Sequence, residues 1–240
     1  MCITRCNSSA DRGAEMKFIV DSAEISVIRD LFEHLACDGV TTNPSILARA
    51  GVEPYAALCP IREFLGKEGE LHVQVLSDSF DGMLAEARTI TEMLGRETYI
   101  KIPVTKVGLR VIKTLKAEGY RVTATAIYTA AQAYLAARAG ADYVAPYVNR
   151  ICDSGADGVA VTVQIEEILR AGGYGTQVLA ASFKNVAQVM SLAAAGIDAA
   201  TVQPEVIRKM LENPTVDAAV IAFRRDLEAL IGKGKDMTKR

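Results

Sequence analysis

The chain reads as a single α/β domain, a (β/α)8 TIM barrel with an extra C-terminal helix. Two observations carry that reading. From Met16 onward, short β-branched runs alternate eight times with longer segments whose apolar residues recur at helical spacing. No linker, composition shift or low-complexity tract interrupts the alternation, so it describes one closed unit. The alternative is an open doubly wound sheet. Such sheets ordinarily carry a glycine fingerprint after the first strand, and Asp21-Ser22-Ala23-Glu24 has none.

Each unit has its own signals. Lys17-Phe18-Ile19-Val20-Asp21 is a strand ending on a carboxylate, followed by helical spacing from Glu24 to Ala36. Gly39 to Thr42 is the second strand, closed by Asn43-Pro44-Ser45, where Asn43 suits an N-cap and Pro44 a first helical position. The third strand is Leu71 to Leu76, with a helix from Phe80 to Leu94. The fourth, Thr98 to Thr105, precedes a helix from Val107 to Glu118 that Gly119 ends. Arg121 to Ile127 and Asp142 to Val148 follow, with helices from Ala130 to Ala139 and from Val161 to Ala171. Gln177 to Ala181 and Asp198 to Val202 complete the strands, with helices from Asn185 to Ala195 and from Pro204 to Leu211. Residues 1–15 are polar, without the apolar stretch of a signal peptide, and are expected to be a disordered extension; residues 16–240 form the barrel with its C-terminal helix at 214–233.

Half of the 240 residues are hydrophobic, enough for a substantial core. The 27 basic and 29 acidic residues are mixed along the chain and give a net charge of -2, which leaves no footprint for nucleic acid or an anionic membrane surface. Every apolar run is far shorter than a membrane span. An anionic ligand must therefore be held locally. Cys2, Cys6, Cys37, Cys59 and Cys152 are odd in number and lack CxxC spacing, so they read as free thiols of a cytoplasmic protein. His34 and His72 are the only histidines, too few to suggest a metal, and none is expected.

Lys101 interrupts the β-branched run Thr98-Tyr99-Ile100-Lys101-Ile102-Pro103-Val104-Thr105. In an edge strand it would simply reach solvent. Inside a barrel its ammonium would lose hydration, its pKa would fall, and the neutral amine would be free to attack a carbonyl. The period of two tests that choice. Asp21 shares a side with Ile19, Gln74 with His72, Lys101 with Tyr99, Thr125 with Thr123, Tyr147 with Ala145 and Ser182 with Ala180. The opposite sides read Phe18/Val20, Val73/Val75, Ile100/Ile102 and Val122/Ala124/Ala126, as contact with outer helices requires. The polar set is thus expected to point inward near the C-terminal strand ends, where barrel enzymes keep their chemistry.

The strings Phe18-Ile19-Val20-Asp21-Ser22, GVTTNPS at 39–45, Val73-Gln74-Val75, IKIPVT at 100–105, Thr125-Ala126-Ile127-Tyr128, ADYVAPYVNR at 141–150 and Leu179-Ala180-Ala181-Ser182-Phe183-Lys184 stand in one order along the chain. In that order they resemble the transaldolase family, in particular its small subgroup that includes the fructose-6-phosphate aldolases. The resemblance implies a class I aldolase that joins or cleaves fructose 6-phosphate, with no cofactor. It implies Lys101 as Schiff-base nucleophile and Asp21 as proton carrier, with Gln74, Thr125 and Tyr147 positioning a water or phenol at the cleaved bond. Thr41 and Asn43 would hold the donor, and Arg150 and Ser182 the phosphate. Glutamine at 74 and tyrosine at 147 resemble the aldolase type, whereas transaldolases typically have glutamate and phenylalanine there. Transaldolase activity remains the near alternative, and a catalytically silent sugar-phosphate-binding barrel a more distant one.

The final segment, Val216 to Ile231, has an apolar stripe after the barrel is complete. The resemblance implies a homo-oligomer, a pentamer or decamer, with this helix reaching to an adjacent subunit.

Overall fold

The computed structural model describes residues 15–238. Its strands are β1 (Lys17–Asp21), β2 (Gly39–Thr41), β3 (Glu70–Gln74), β4 (Tyr99–Pro103), β5 (Arg121–Ile127), β6 (Tyr143–Pro146), β7 (Gln177–Ala180) and β8 (Ala199–Val202). All pair in parallel in chain order, and β1 closes on β8 from Lys17 opposite Ala199 to Val20 opposite Val202. The fold is the expected (β/α)8 barrel. Around it run α1 (Ile25–His34), α2 (Pro44–Ala50), α3 (Pro54–Leu65), α4 (Phe80–Leu94), α5 (Lys106–Ala117), α6 (Ala130–Arg138), α7 (Val148–Asp153), α8 (Gly158–Ala171), α9 (Val186–Ala194), α10 (Pro204–Leu211) and α11 (Pro214–Ile231). The expected N-terminal extension lies outside the described residues but for Glu15. Among the described residues, no helix is long and apolar enough to cross a membrane.

The helix starts follow from side-chain chemistry. Asn43, Ser79, Thr105, Thr129, Asp157, Asn185 and Asn213 each accept a first-turn backbone N–H, which satisfies a donor with no partner inside the helix. Behind these caps the outward strand residues Val20, Val73, Ile100, Ile102, Val122 and Ala124 join the helices in one continuous core. Ile100 and Ile102 are wholly buried, and truncating either to alanine would cost about 2–5 kcal/mol.

Two helices were not apparent in the sequence. Pro60 lies inside α3 and argues against a helix locally, but burial of Ala57, Leu58 and Ile61 prevails. The sixth strand ends at Pro146, not at Val148, because Tyr147 turns into α7 after a single bridge to Ala181.

Two strands also break the expected alternation. On β5 the register shifts between Ala124 and Ile127, Ala126 adopts a left-handed φ of 58°, and Ile127 takes the outward place assigned to Ala126. On β7 it is Leu179 that faces the barrel interior, while Ala180 packs against the helices. Ser182 therefore does not enter the site by alternation from Ala180. It lies beyond the strand at a φ of 61°, a conformation costing on the order of 1 kcal/mol in a non-glycine residue.

The barrel interior is polar along much of its length. Ile19, Tyr143, Leu179 and Ala199 form an apolar cluster there, with Tyr99 beside them. Beneath, Lys17 Nζ donates to Glu70 Oε1 at 2.6 Å and to the Tyr143 hydroxyl at 2.7 Å. Gly39 makes room for this layer, since a Cβ there would collide with the carbonyl of Glu70.

Candidate active site

Lys101 projects from the middle of β4 and is 5 % exposed. Its Nζ donates to the carbonyl of Thr42 at 2.8 Å. Among the described residues no carboxylate forms an ion pair with it. Burial lowers its pKa below the ordinary lysine value, and the charge of Asp21 only partly opposes that. Asp21, at the end of β1, is equally enclosed. Burial raises its pKa, against the lowering effects of Lys101, the Thr41 hydrogen bond, Arg49 and Arg150. A lysine poised toward its neutral form thus stands near a carboxyl poised toward its protonated form.

A cavity of about 200 Å³ opens above them. Asp21, Asn43, Gln74, Lys101, Tyr147, Arg150 and Ser182, seven of the nine residues singled out in the sequence, line it. The remaining two stand behind the wall. Thr41 donates to Asp21 Oδ1 at 2.7 Å and lies 2.6 Å from the Thr201 hydroxyl. Thr125 shares a 2.9 Å hydrogen bond with the Tyr147 hydroxyl. Asn43 uses its side-chain oxygen to cap α2 through the N–H of Ile46, so its amide NH₂ remains for a ligand. The Oε1 of Gln74 is buried without a protein partner. Arg150, on α7, stacks over the Tyr147 ring at 4.8 Å.

Sequence reasoning missed Thr201 and Gln203, which line the same cavity. Both follow the inward period of β8 that begins at Ala199, a signal present in the sequence. It also missed that His72, fully buried, contacts Thr123 through Nδ1 at 2.8 Å and Glu70 through Nε2 at 3.4 Å. With Glu70 ionised, Nε2 carries the proton and the neutral ring accepts from Thr123.

The sequence model of the transaldolase/fructose-6-phosphate aldolase family matches residues 18–239. The chain belongs to the transaldolase family. A probable fructose-6-phosphate aldolase of Streptococcus pneumoniae is 42% identical, over 88% of this chain and 96% of its own length. Probable transaldolases of Anaeromyxobacter dehalogenans and Geotalea daltonii are each 38% identical over 89% of this chain, covering 97% and 98% of their own lengths. The protein is thus an aldolase-type enzyme of that family, which sets aside the silent-barrel reading.

Proposed function

We propose that the protein is a class I aldolase that cleaves or forms fructose 6-phosphate from free dihydroxyacetone and glyceraldehyde 3-phosphate. The observation that carries this is Lys101, buried and without a direct carboxylate partner at the edge of a polar cavity, its pKa lowered by that burial. Its neutral amine adds to the ketose C2 carbonyl, and Asp21 supplies the proton that lets water leave as the iminium forms. The Gln74, Thr125 and Tyr147 group takes the C4 hydroxyl proton through a water or the phenol. The C3–C4 bond breaks, its electron pair passes to the iminium, and glyceraldehyde 3-phosphate departs. The same group returns the proton to C3 of the enamine, and hydrolysis of the iminium frees dihydroxyacetone and Lys101. Asn43, with Thr41 behind it, holds the donor hydroxyls; Arg150 and Ser182 hold the phosphate. The Thr125–Tyr147 hydrogen bond supports the proton role, because it fixes the phenol at the cavity wall.

Borohydride reduction in the presence of fructose 6-phosphate, followed by intact mass, tests the Schiff base. A reduced adduct at Lys101 is expected; an adduct at Lys106 or Lys184 would refute the assignment. The relatives named as transaldolases favour a second reading, transfer of the three-carbon unit to an acceptor sugar phosphate. Glyceraldehyde 3-phosphate released without erythrose 4-phosphate supports the aldolase, and strict dependence on that acceptor supports transfer.

The assembly belongs to the same proposal. α11 buries none of its residues, and Ile221 and Phe223 are each 70 % exposed. A homo-oligomer, pentamer or decamer, in which α11 packs on a neighbour would cover that stripe. Light scattering on the full chain, with a chain stopped at Asn213 for comparison, tests this; a monomeric full chain would overturn it. Cys37, Cys59 and Cys152 are free thiols, which supports a cytoplasmic setting.

A further inference from the structure

A second cavity, of about 170 Å³, adjoins the catalytic one and shares Asp21 and Gln203 with it. Two arginines line it, Arg49 from α2 and Arg208 from α10. Both residues are exposed, and among the described residues neither side chain makes a hydrogen bond or an ion pair. Glu24 and Glu205 line the same cleft but do not pair with the arginines. With Asp21 the two glutamates make three carboxyl groups against two arginines, so the lining has no excess of positive charge, and an anion would be held by direct hydrogen bonds from the two forks and not by a general field.

Its place in the ring gives the cleft meaning. The strands close in chain order, so β1 stands across the barrel from β5. The cleft opens by the ends of β8 and β1 and by α2, whereas Thr125 comes from β5 and Arg150 from the segment after β6. Asp21 lines both cavities, and the charges of both Arg49 and Arg150 act on it. Arg150 and Lys101 line the catalytic cavity, and Arg49 lines the adjoining cleft.

We propose that the cleft between Arg49 and Arg208 is a second phosphate subsite, separate from the one formed by Arg150 and Ser182. Two forks from different helices suit a tetrahedral phosphate better than a planar carboxylate, because they can engage oxygens on two sides of the group. The phosphate has two sources of the same chemistry: the C1 phosphate of a ketose bisphosphate held at Lys101, or free inorganic phosphate. Its assignment to a bound ketose rests on the Schiff-base reading above, whereas phosphate binding by itself does not.

Calorimetric titration of the full chain with inorganic phosphate at low salt tests the subsite, since screening weakens such contacts. The wild type is expected to bind two phosphates per chain. The double variant Arg49→Gln with Arg208→Gln should bind one, the lost event being weakened about tenfold or more, while Arg150→Gln loses the other. A wild type that binds a single phosphate, or a double variant that still binds two, overturns the subsite. Borohydride trapping with fructose 6-phosphate is run in parallel on the wild type and the double variant, and sets the reference yield for each. Its failure in the wild type would sink the Schiff-base reading and leave the phosphate count standing. A trapped adduct with fructose 1,6-bisphosphate whose yield falls about tenfold in the double variant assigns the phosphate to substrate; two phosphates without a bisphosphate adduct assign the subsite to the free anion.

Discussion

Each end of the barrel holds a lysine and a carboxylate on inward positions, and the two pairs behave in opposite ways. At the floor, Lys17 and Glu70 meet at 2.6 Å, with Tyr143 and His72 bonded to the same carboxylate. Burial alone would raise the Glu70 pKa, but the hydrogen bonds from His72 and Lys17 and the charge of Lys17 hold it down to about 2. At the rim, Lys101 bonds to a backbone carbonyl and Asp21 to a threonine, and burial moves both pKa values toward the uncharged forms. Direct contact makes an ion pair structural. Enclosure without contact leaves two groups ready to exchange protons with a ligand.

The largest break in this comparison is Lys101→Met. It should abolish the borohydride adduct and lower cleavage by at least about 10⁴-fold, as loss of a covalent nucleophile does. Its melting temperature should equal or exceed that of the wild type, since an enclosed ammonium is replaced by an apolar chain of similar length. A clear fall in melting temperature would mean that Lys101 is structural, like Lys17.

Glu70→Gln at the floor should do the reverse. Stability is expected to fall by about 2 kcal/mol, below the usual loss for a broken buried pair because Lys17 is 35 % exposed at its side chain and partly screened. The adduct at Lys101 should still form. The folded pKa of Glu70 lies below its ordinary value of 4.5, so its contribution is present above pH 4.5 and is lost as pH falls toward 2. Melting curves across that window should be steeper in pH for the wild type than for the variant.

Tyr147→Phe should lower release of free glyceraldehyde 3-phosphate about 10²-fold, the usual contribution of a positioned proton donor, while adduct formation persists. Equal loss of adduct and product would place Tyr147 in binding and not in proton transfer.

The smallest effect concerns Glu166 on α8. Burial, then the charge of Asp198, push its pKa up to about 7 against the opposing pull of Arg170. A carboxyl whose folded pKa exceeds its unfolded one contributes stability below about pH 4.5 and loses it as pH rises through 7. The wild type should therefore lose more stability between pH 5 and pH 9 than Glu166→Gln, by an amount on the order of 1 kcal/mol, read from melting curves at each pH. Parallel profiles would refute the shift.

How far the site was legible depends on how each residue reaches it. Asp21, Gln74, Lys101 and Thr125 lie within strands, where alternation alone assigns a face. Ser182 lies past the end of β7 and enters through a left-handed turn that alternation does not describe. Tyr147 reaches the cavity from the cap of α7, where a longer strand was expected. Thr201 lies within β8 and Gln203 just past its end, both on the alternation that starts at Ala199.

The sequence by itself determined the eightfold alternation, the inward polar set on the strands and the family resemblance, because periodicity, caps and strings of residues are local properties. Only the tertiary structure decided which lysine finds a carboxylate and which stays apart. Lys17 meets Glu70 across 53 residues and Lys101 meets the carbonyl of Thr42 across 59. Those partners, and the burial that moves the pKa values of Lys101 and Asp21, exist only once the eight strands have closed into a ring and excluded water from its interior.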